Sequence, residues 1–266
     1  MKISFLDHDV ASWIKPRETP PRTVGLHVSD VLVRMLKALP GKKYDRYGRA
    51  VDGERKPAFE VGYLWEDVIR EHLQQRVEVP QGYTLIPPTE ISRGGLYGSP
   101  DRLLWHDQTF RFTDDETKAT WMSCNGLDAR PEALTENAKF TYWLLQSKTY
   151  AAMLLRYTTM PNDAGGVDLV ALPDDVVVSD LYGGGIGPGV ATLLHERRAI
   201  DTPPIVNIRA LFLNGDYRGT LATAMCWQLE YTADELEDWW SAVMAFKDTL
   251  ITPEGERRDE PTAPTF

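Results

Sequence analysis

The sequence predicts an α/β fold, a mixed β-sheet flanked by helices. Three observations predict it. Two long segments, 57–77 and 136–157, carry apolar residues at helical spacing. The stretch between them, 83–118, alternates like strands. The order helix, strands, helix, strands, helix then continues to residue 250, which suits layered packing around one core. A chain of 266 residues is long enough to bury such a core. We read residues 1–250 as a single domain, with 159–231 as an insertion or assembly region and 251–266 as a disordered tail.

The elements follow in order. VSDVLVRMLKAL, 28–39, places Val31, Leu32, Met35 and Leu39 at helical spacing, with Ser29 or Asp30 as N-cap and Pro40-Gly41 as the stop. A basic loop follows, with Lys42, Lys43, Arg46, Arg49, Arg55 and Lys56 around Tyr44 and Tyr47. Such loops are most often solvated surface. This one also has the chemistry to contact phosphates and stack on bases. In the 57–77 helix, Val61, Leu64, Trp65, Val68, Ile69 and Leu73 make the core stripe, and Pro57 sits near the start. Gly62 costs about 1 kcal/mol relative to alanine in a helix interior, a cost that a close backbone approach explains.

Tyr83 to Ile91 reads as a strand, followed by a Gly94-Gly95 turn, the strand LYGSPDRLLW, a short HDQ turn and the strand TFRFTDDETK. Phe110, Phe112, Asp114, Glu116 and Lys118 then share one face. After the 136–157 helix come strands at 167–172 and 204–213. A last helix spans 232–250, with a capping box at Thr232 and Glu235.

Hydrophobic residues at 42% and charged residues at 26% are ordinary for a soluble protein. A net charge of -10 argues against a histone-like nucleic-acid binder, but not against an enzyme with a local basic groove. Cys124 and Cys226 lack CxxC spacing, which argues against a cysteine-built zinc or iron–sulfur site and suits a reducing compartment. No apolar run approaches the ~20 residues of a membrane span. Asp7, His8 and Asp9 interrupt the N-terminus, so no secretory signal is expected. The expected location is cytoplasmic. YGGGIGPG, 182–189, lacks the GK[ST] ending of a phosphate-binding loop and reads as a turn.

The chemistry concentrates in Asp101, Glu116 and Lys118. Glu116 and Lys118 lie two apart on one strand face, and pairing across the short turn brings Asp101 near Glu116. Two carboxylates offer hard oxygen ligands to Mg²⁺ or Mn²⁺. Such a cation polarises a phosphoryl oxygen and acidifies water, and the lysine orients that water or stabilises developing charge. Glu66, at the edge of the apolar stripe one turn after Gly62, is the candidate third acid. Gln146 and Tyr150 share a helix face and offer donors, acceptors and an aromatic surface.

In this order, G-YLW-E (62–66), PD (100–101), ETK (116–118) and QSKTY (146–150) resemble the PD-(D/E)XK nucleases, and within them the RecB-like and viral recombination exonuclease branch, marked by Q-x-x-x-Y. LHVSD, 26–30, is similar to the opening helix of that group. The resemblance spans roughly residues 26–158. It implies a restriction-endonuclease-like core and a Mg²⁺- or Mn²⁺-dependent deoxyribonuclease. Asp101, Glu116, the Thr117 backbone carbonyl and Glu66 would hold the metal. Lys118 would be catalytic, and Gln146 and Tyr150 would support the site and the DNA.

The expected activity is an exonuclease of recombination, repair or phage DNA metabolism, in a bacterial or phage-infected cell. A homo-oligomer or a recombination protein is the expected partner. An endonuclease with the same site, and a silent DNA- or protein-binding module, are the alternatives. The chain departs from the pattern in three places. Thr113-Asp114-Asp115 stands where the strand is usually apolar, which makes Asp114 a further metal candidate. Trp65 stands where some relatives carry a metal-binding histidine. Two cysteines cannot supply the four of an iron–sulfur cluster.

Overall fold

The computed structural model describes residues 23–38, 79–87, 89–109, 111–120, 133–136, 138–161, 167–171, 203–212 and 223–250. The basic loop with Lys42, Lys43, Tyr44, Arg46, Tyr47 and Arg49 lies outside them. So do the 57–77 helix with Glu66, Cys124, the 182–189 turn and the 251–266 tail. All described residues except Thr23 belong to one compact unit, Val24–Tyr47 with Val79–Phe266.

The unit is mixed α/β. Its main sheet has the order β10-β9-β6-β5-β2, built from β2 (Tyr83–Ile86), β5 (Leu103–His106), β6 (Arg111–Thr120), β9 (Ile205–Phe212) and β10 (Thr223–Glu230). β6 is central. It runs antiparallel to β5 and parallel to β9, while β2–β5 and β9–β10 are antiparallel. A smaller sheet joins β1 (Leu26–His27), β4 (Leu96–Gly98) and β3 (Ile91–Arg93). β7 (Tyr157–Pro161) and β8 (Val167–Ala171) form a separate hairpin.

Helix α1 spans Val28–Ala38, α2 is the single turn Ala133–Glu136, α3 spans Ala138–Leu154 and α4 spans Ala233–Thr249. α3 is the hub and packs on β6, β9, α1 and α4. It buries Phe140, Trp143, Ser147, Tyr150, Ala151 and Leu154, which recur three or four apart and so share one face. On β9, Val206, Ile208 and Ala210 are buried while Arg209 is exposed, the alternation of a strand with one face on the core. α4 begins with the capping box, Thr232 and Glu235 satisfying each other's backbone N–H groups.

Several elements differ from expectation. The predicted 83–91 strand is two, β2 and β3, in different sheets. LYGSPDRLLW also divides, into β4 and β5, because Pro100 has no N–H to continue a ladder. Helix 136–157 ends at Leu154, and Tyr157 opens β7, with its hydroxyl bonded to both backbone groups of Ser92. α1 starts at Val28 directly from β1, ahead of the proposed caps Ser29 and Asp30. β1, β7 and β10 were not expected. The Gly94-Gly95 turn stands, and both residues have positive φ, which glycine adopts without strain.

Candidate active site

The β5–β6 hairpin pairs Leu103 with Asp114 and Trp105 with Phe112. Continued beyond β5, this register sets Asp101 opposite Glu116. Each acid accepts a backbone N–H from the other strand. The Asp101 N–H donates to Glu116 Oε1 at 3.0 Å, and the Thr117 N–H donates to Asp101 Oδ2 at 2.8 Å. Lys118 Nζ closes the group, 2.5 Å from Glu116 Oε2 and 3.6 Å from Asp101 Oδ2.

α3 brings two further predicted residues to this point. Gln146 Nε2 donates to the Tyr150 hydroxyl at 3.0 Å, as positions one turn apart allow. The Tyr150 phenol lies close enough to feel the charges of Glu116, Lys118 and Asp101. Its ring lies across Gly98 at the end of β4, where an added Cβ would stand 2.6 Å from Cε1. Gly98 therefore leaves room for the ring. Gly98→Ala is expected to destabilise the fold by about 1–3 kcal/mol through overpacking, read as a lower denaturant midpoint. A wild-type midpoint would mean that the ring yields freely.

Burial shapes the electrostatics. Burial and then the Asp101 charge push the Glu116 carboxyl up to about 7, against the pull of Lys118. Burial alone would lower the Lys118 ammonium, but Asp101 and Glu116 overcome it and hold it well above its ordinary value. The pair is unequal because the lysine draws on two carboxylates, while Glu116 faces one cation and a second anion. Lys118 therefore stays cationic and the carboxylate titrates. Tyr150, raised by burial and then by Glu116, stays a neutral phenol.

Asp114 lies on the same face as Glu116, fully buried, and among the described residues neither carboxylate oxygen has a hydrogen-bond partner. Burial, then Glu116 and Asp101, push its carboxyl well up.

A second polar group occupies the opposite face of β6. The Asp115 carboxylate accepts from Asn207 Nδ2 at 2.7 Å and lies 3.3 Å from Arg209 Nη2 and 3.5 Å from Arg102 Nη1. Sequence reasoning missed this group. Alternation alone turns Asp115 away from Glu116, but its partners arrive through the parallel β6–β9 register, Asp115 beside Asn207 and Thr117 beside Arg209.

Among the described residues, no three His, Cys, Asp or Glu side chains are grouped to hold a metal ion. The donor chemistry present still fits a hard divalent cation: two carboxylates, Asp101 and Glu116, beside the Thr117 backbone. Mg²⁺ is commonly held by one or two carboxylates together with water. No helix among the described residues is long and apolar enough to cross a membrane. No family model and no curated protein matches the chain.

Proposed function

We propose that this chain is a divalent-metal-dependent DNA nuclease of the PD-(D/E)XK type, with a restriction-endonuclease-like core, acting as an exonuclease in recombination, repair or phage DNA metabolism. One observation carries the reading: Asp101, Glu116 and Lys118 converge through crossed backbone and side-chain bonds. The Gln146–Tyr150 pair beside them supports the exonuclease branch.

Asp101, Glu116 and the Thr117 carbonyl would hold Mg²⁺ or Mn²⁺, with Glu66 as a further ligand. The cation, when bound, supplies charge neutralisation at the scissile phosphate and acidifies water. Lys118 holds a proton-rich ammonium where negative charge develops and orients the attacking water. Tyr150, kept neutral and accepting from Gln146, would offer its hydroxyl proton to the DNA without adding charge. Lys42, Lys43, Arg46 and Arg49 would contact phosphates, and Tyr44 and Tyr47 would stack on bases.

The test is incubation of the full chain with linear and closed circular DNA in Mg²⁺, Mn²⁺ or EDTA. Metal-dependent loss of linear DNA, with circles intact, is the expected result. Cleaved circles would make it an endonuclease. Binding without cleavage under either metal would leave a silent DNA-binding module.

A further inference from the structure

The polar group on the far face of β6 has a direct route to the acids. In a hairpin, neighbouring residues point to opposite faces. Asp101 and Glu116 meet on one face, so Arg102 and Asp115 meet on the other. The two strands also join here through backbone, the Asp115 N–H donating to the Arg102 carbonyl at 2.9 Å.

Asp101 itself sits in a bend between β4 and β5. It is tied to the rest of the fold through its N–H to Glu116 and through its carboxylate to Thr117 and Lys118. What fixes the residue beside it therefore also limits where Asp101 can go.

We propose that Asp115, with Arg102, Asn207 and Arg209, forms a positioning network that holds Asp101 against Glu116 from behind the sheet. The side chains of Asp115 and Arg102 are 3% and 7% exposed, so each charge requires a partner that stays in place. Asn207 and Arg209 reach Asp115 from β9, a strand distant in sequence. The network thus ties three stretches of chain, at 102, 115 and 207–209, into one arrangement. Removing one partner of a buried ion pair leaves the other charge uncompensated, so the network resists any shift of the hairpin register at the acids. The network touches no reacting atom, so its members are positioning residues. Its consequence for metal binding rests on the nuclease reading, but the positioning itself does not.

The test uses the metal-free full chain with Asp115→Asn, Arg209→Ala and Arg209→Lys. Arg209 is partly exposed, with 44% of its side chain open, so its variants keep the test alive if Asp115→Asn fails to fold. Hydrogen exchange is read residue by residue at the Asp101 and Thr117 amides, the two that donate to the acids, with α4 amides as reference. Exchange at both is expected to rise about tenfold in Asp115→Asn and less in Arg209→Ala, to return towards wild type in Arg209→Lys, and to stay constant in α4. Wild-type exchange at both amides in every folded variant would overturn the proposal. So would equal acceleration throughout α4, because that reports only a loosened fold. Calorimetric titration with Mn²⁺ separates the two readings. Affinity about tenfold weaker in Asp115→Asn is expected. A wild-type chain that neither binds Mn²⁺ nor cleaves DNA removes the nuclease reading, while the exchange result still decides the positioning role.

Discussion

Replacing Lys118 with alanine is expected to lower metal-dependent DNA cleavage by about 10²–10³-fold, the loss typical of removing one charge-stabilising donor. The ammonium lies 2.5 Å from Glu116 and 3.6 Å from Asp101, with 15% of its side chain exposed. It is therefore a fixed charge in a partly dry site, where its field is weakly screened. Its removal acts twice. The developing negative charge loses its stabiliser, and Glu116 loses the cation that opposes burial, so its carboxyl rises further. Lys118→Met keeps most of the stem and separates packing from charge: the cleavage defect should persist while stability changes less than in the alanine variant. The measurement is the single-turnover rate on end-labelled linear DNA at saturating Mn²⁺. Wild-type cleavage by either variant would remove Lys118 from the chemistry.

The stability of the metal-free chain is expected to fall as pH rises from about 4.5 to about 7, and Glu116→Gln should flatten that fall. A carboxyl raised from 4.5 to about 7 holds its proton more tightly in the folded state than in the unfolded chain. In this window the folded state therefore binds more protons, and unfolding becomes easier as the proton is lost. The span corresponds to roughly 3 kcal/mol. Asp114, raised chiefly by burial, pushes in the same direction. Lys118, raised well above its ordinary value, stays charged throughout and contributes no slope here. Urea unfolding of wild type and Glu116→Gln between pH 4.5 and 8, both without metal, gives the comparison. On the nuclease reading Mn²⁺ would compete with the proton for Glu116, so it should raise the midpoint more at pH 8 than at pH 5. Parallel pH curves for the two proteins would show that Glu116 ionises normally.

Local patterns carried much of the fold. The 3.6-residue spacing from Phe140 to Leu154 marked α3, and Thr232 with Glu235 marked the start of α4, because both are relations between residues within a turn or two. The hairpin turn and strand alternation likewise set Glu116 and Lys118 on one face. The same local reading ran Tyr83 through to Ile91 as one strand, since nothing nearby says that β2 and β3 join different sheets. It also overlooked β7 and β10, whose pairing partners identify them better than their own residues do.

Which residues could share a face was readable along the chain: Asp114, Glu116 and Lys118 on one strand, Gln146 and Tyr150 on one helix. Periodicity of the backbone settles such relations without any partner. What those faces meet depends on the packed fold. The Tyr150 ring lies across Gly98, β9 lies parallel to β6 and delivers Asn207 and Arg209 to Asp115, and Asp114 is enclosed with no hydrogen-bond partner among the described residues. Each depends on chain segments far apart in sequence being packed together, and burial, which sets the charge on Glu116, exists only after that packing.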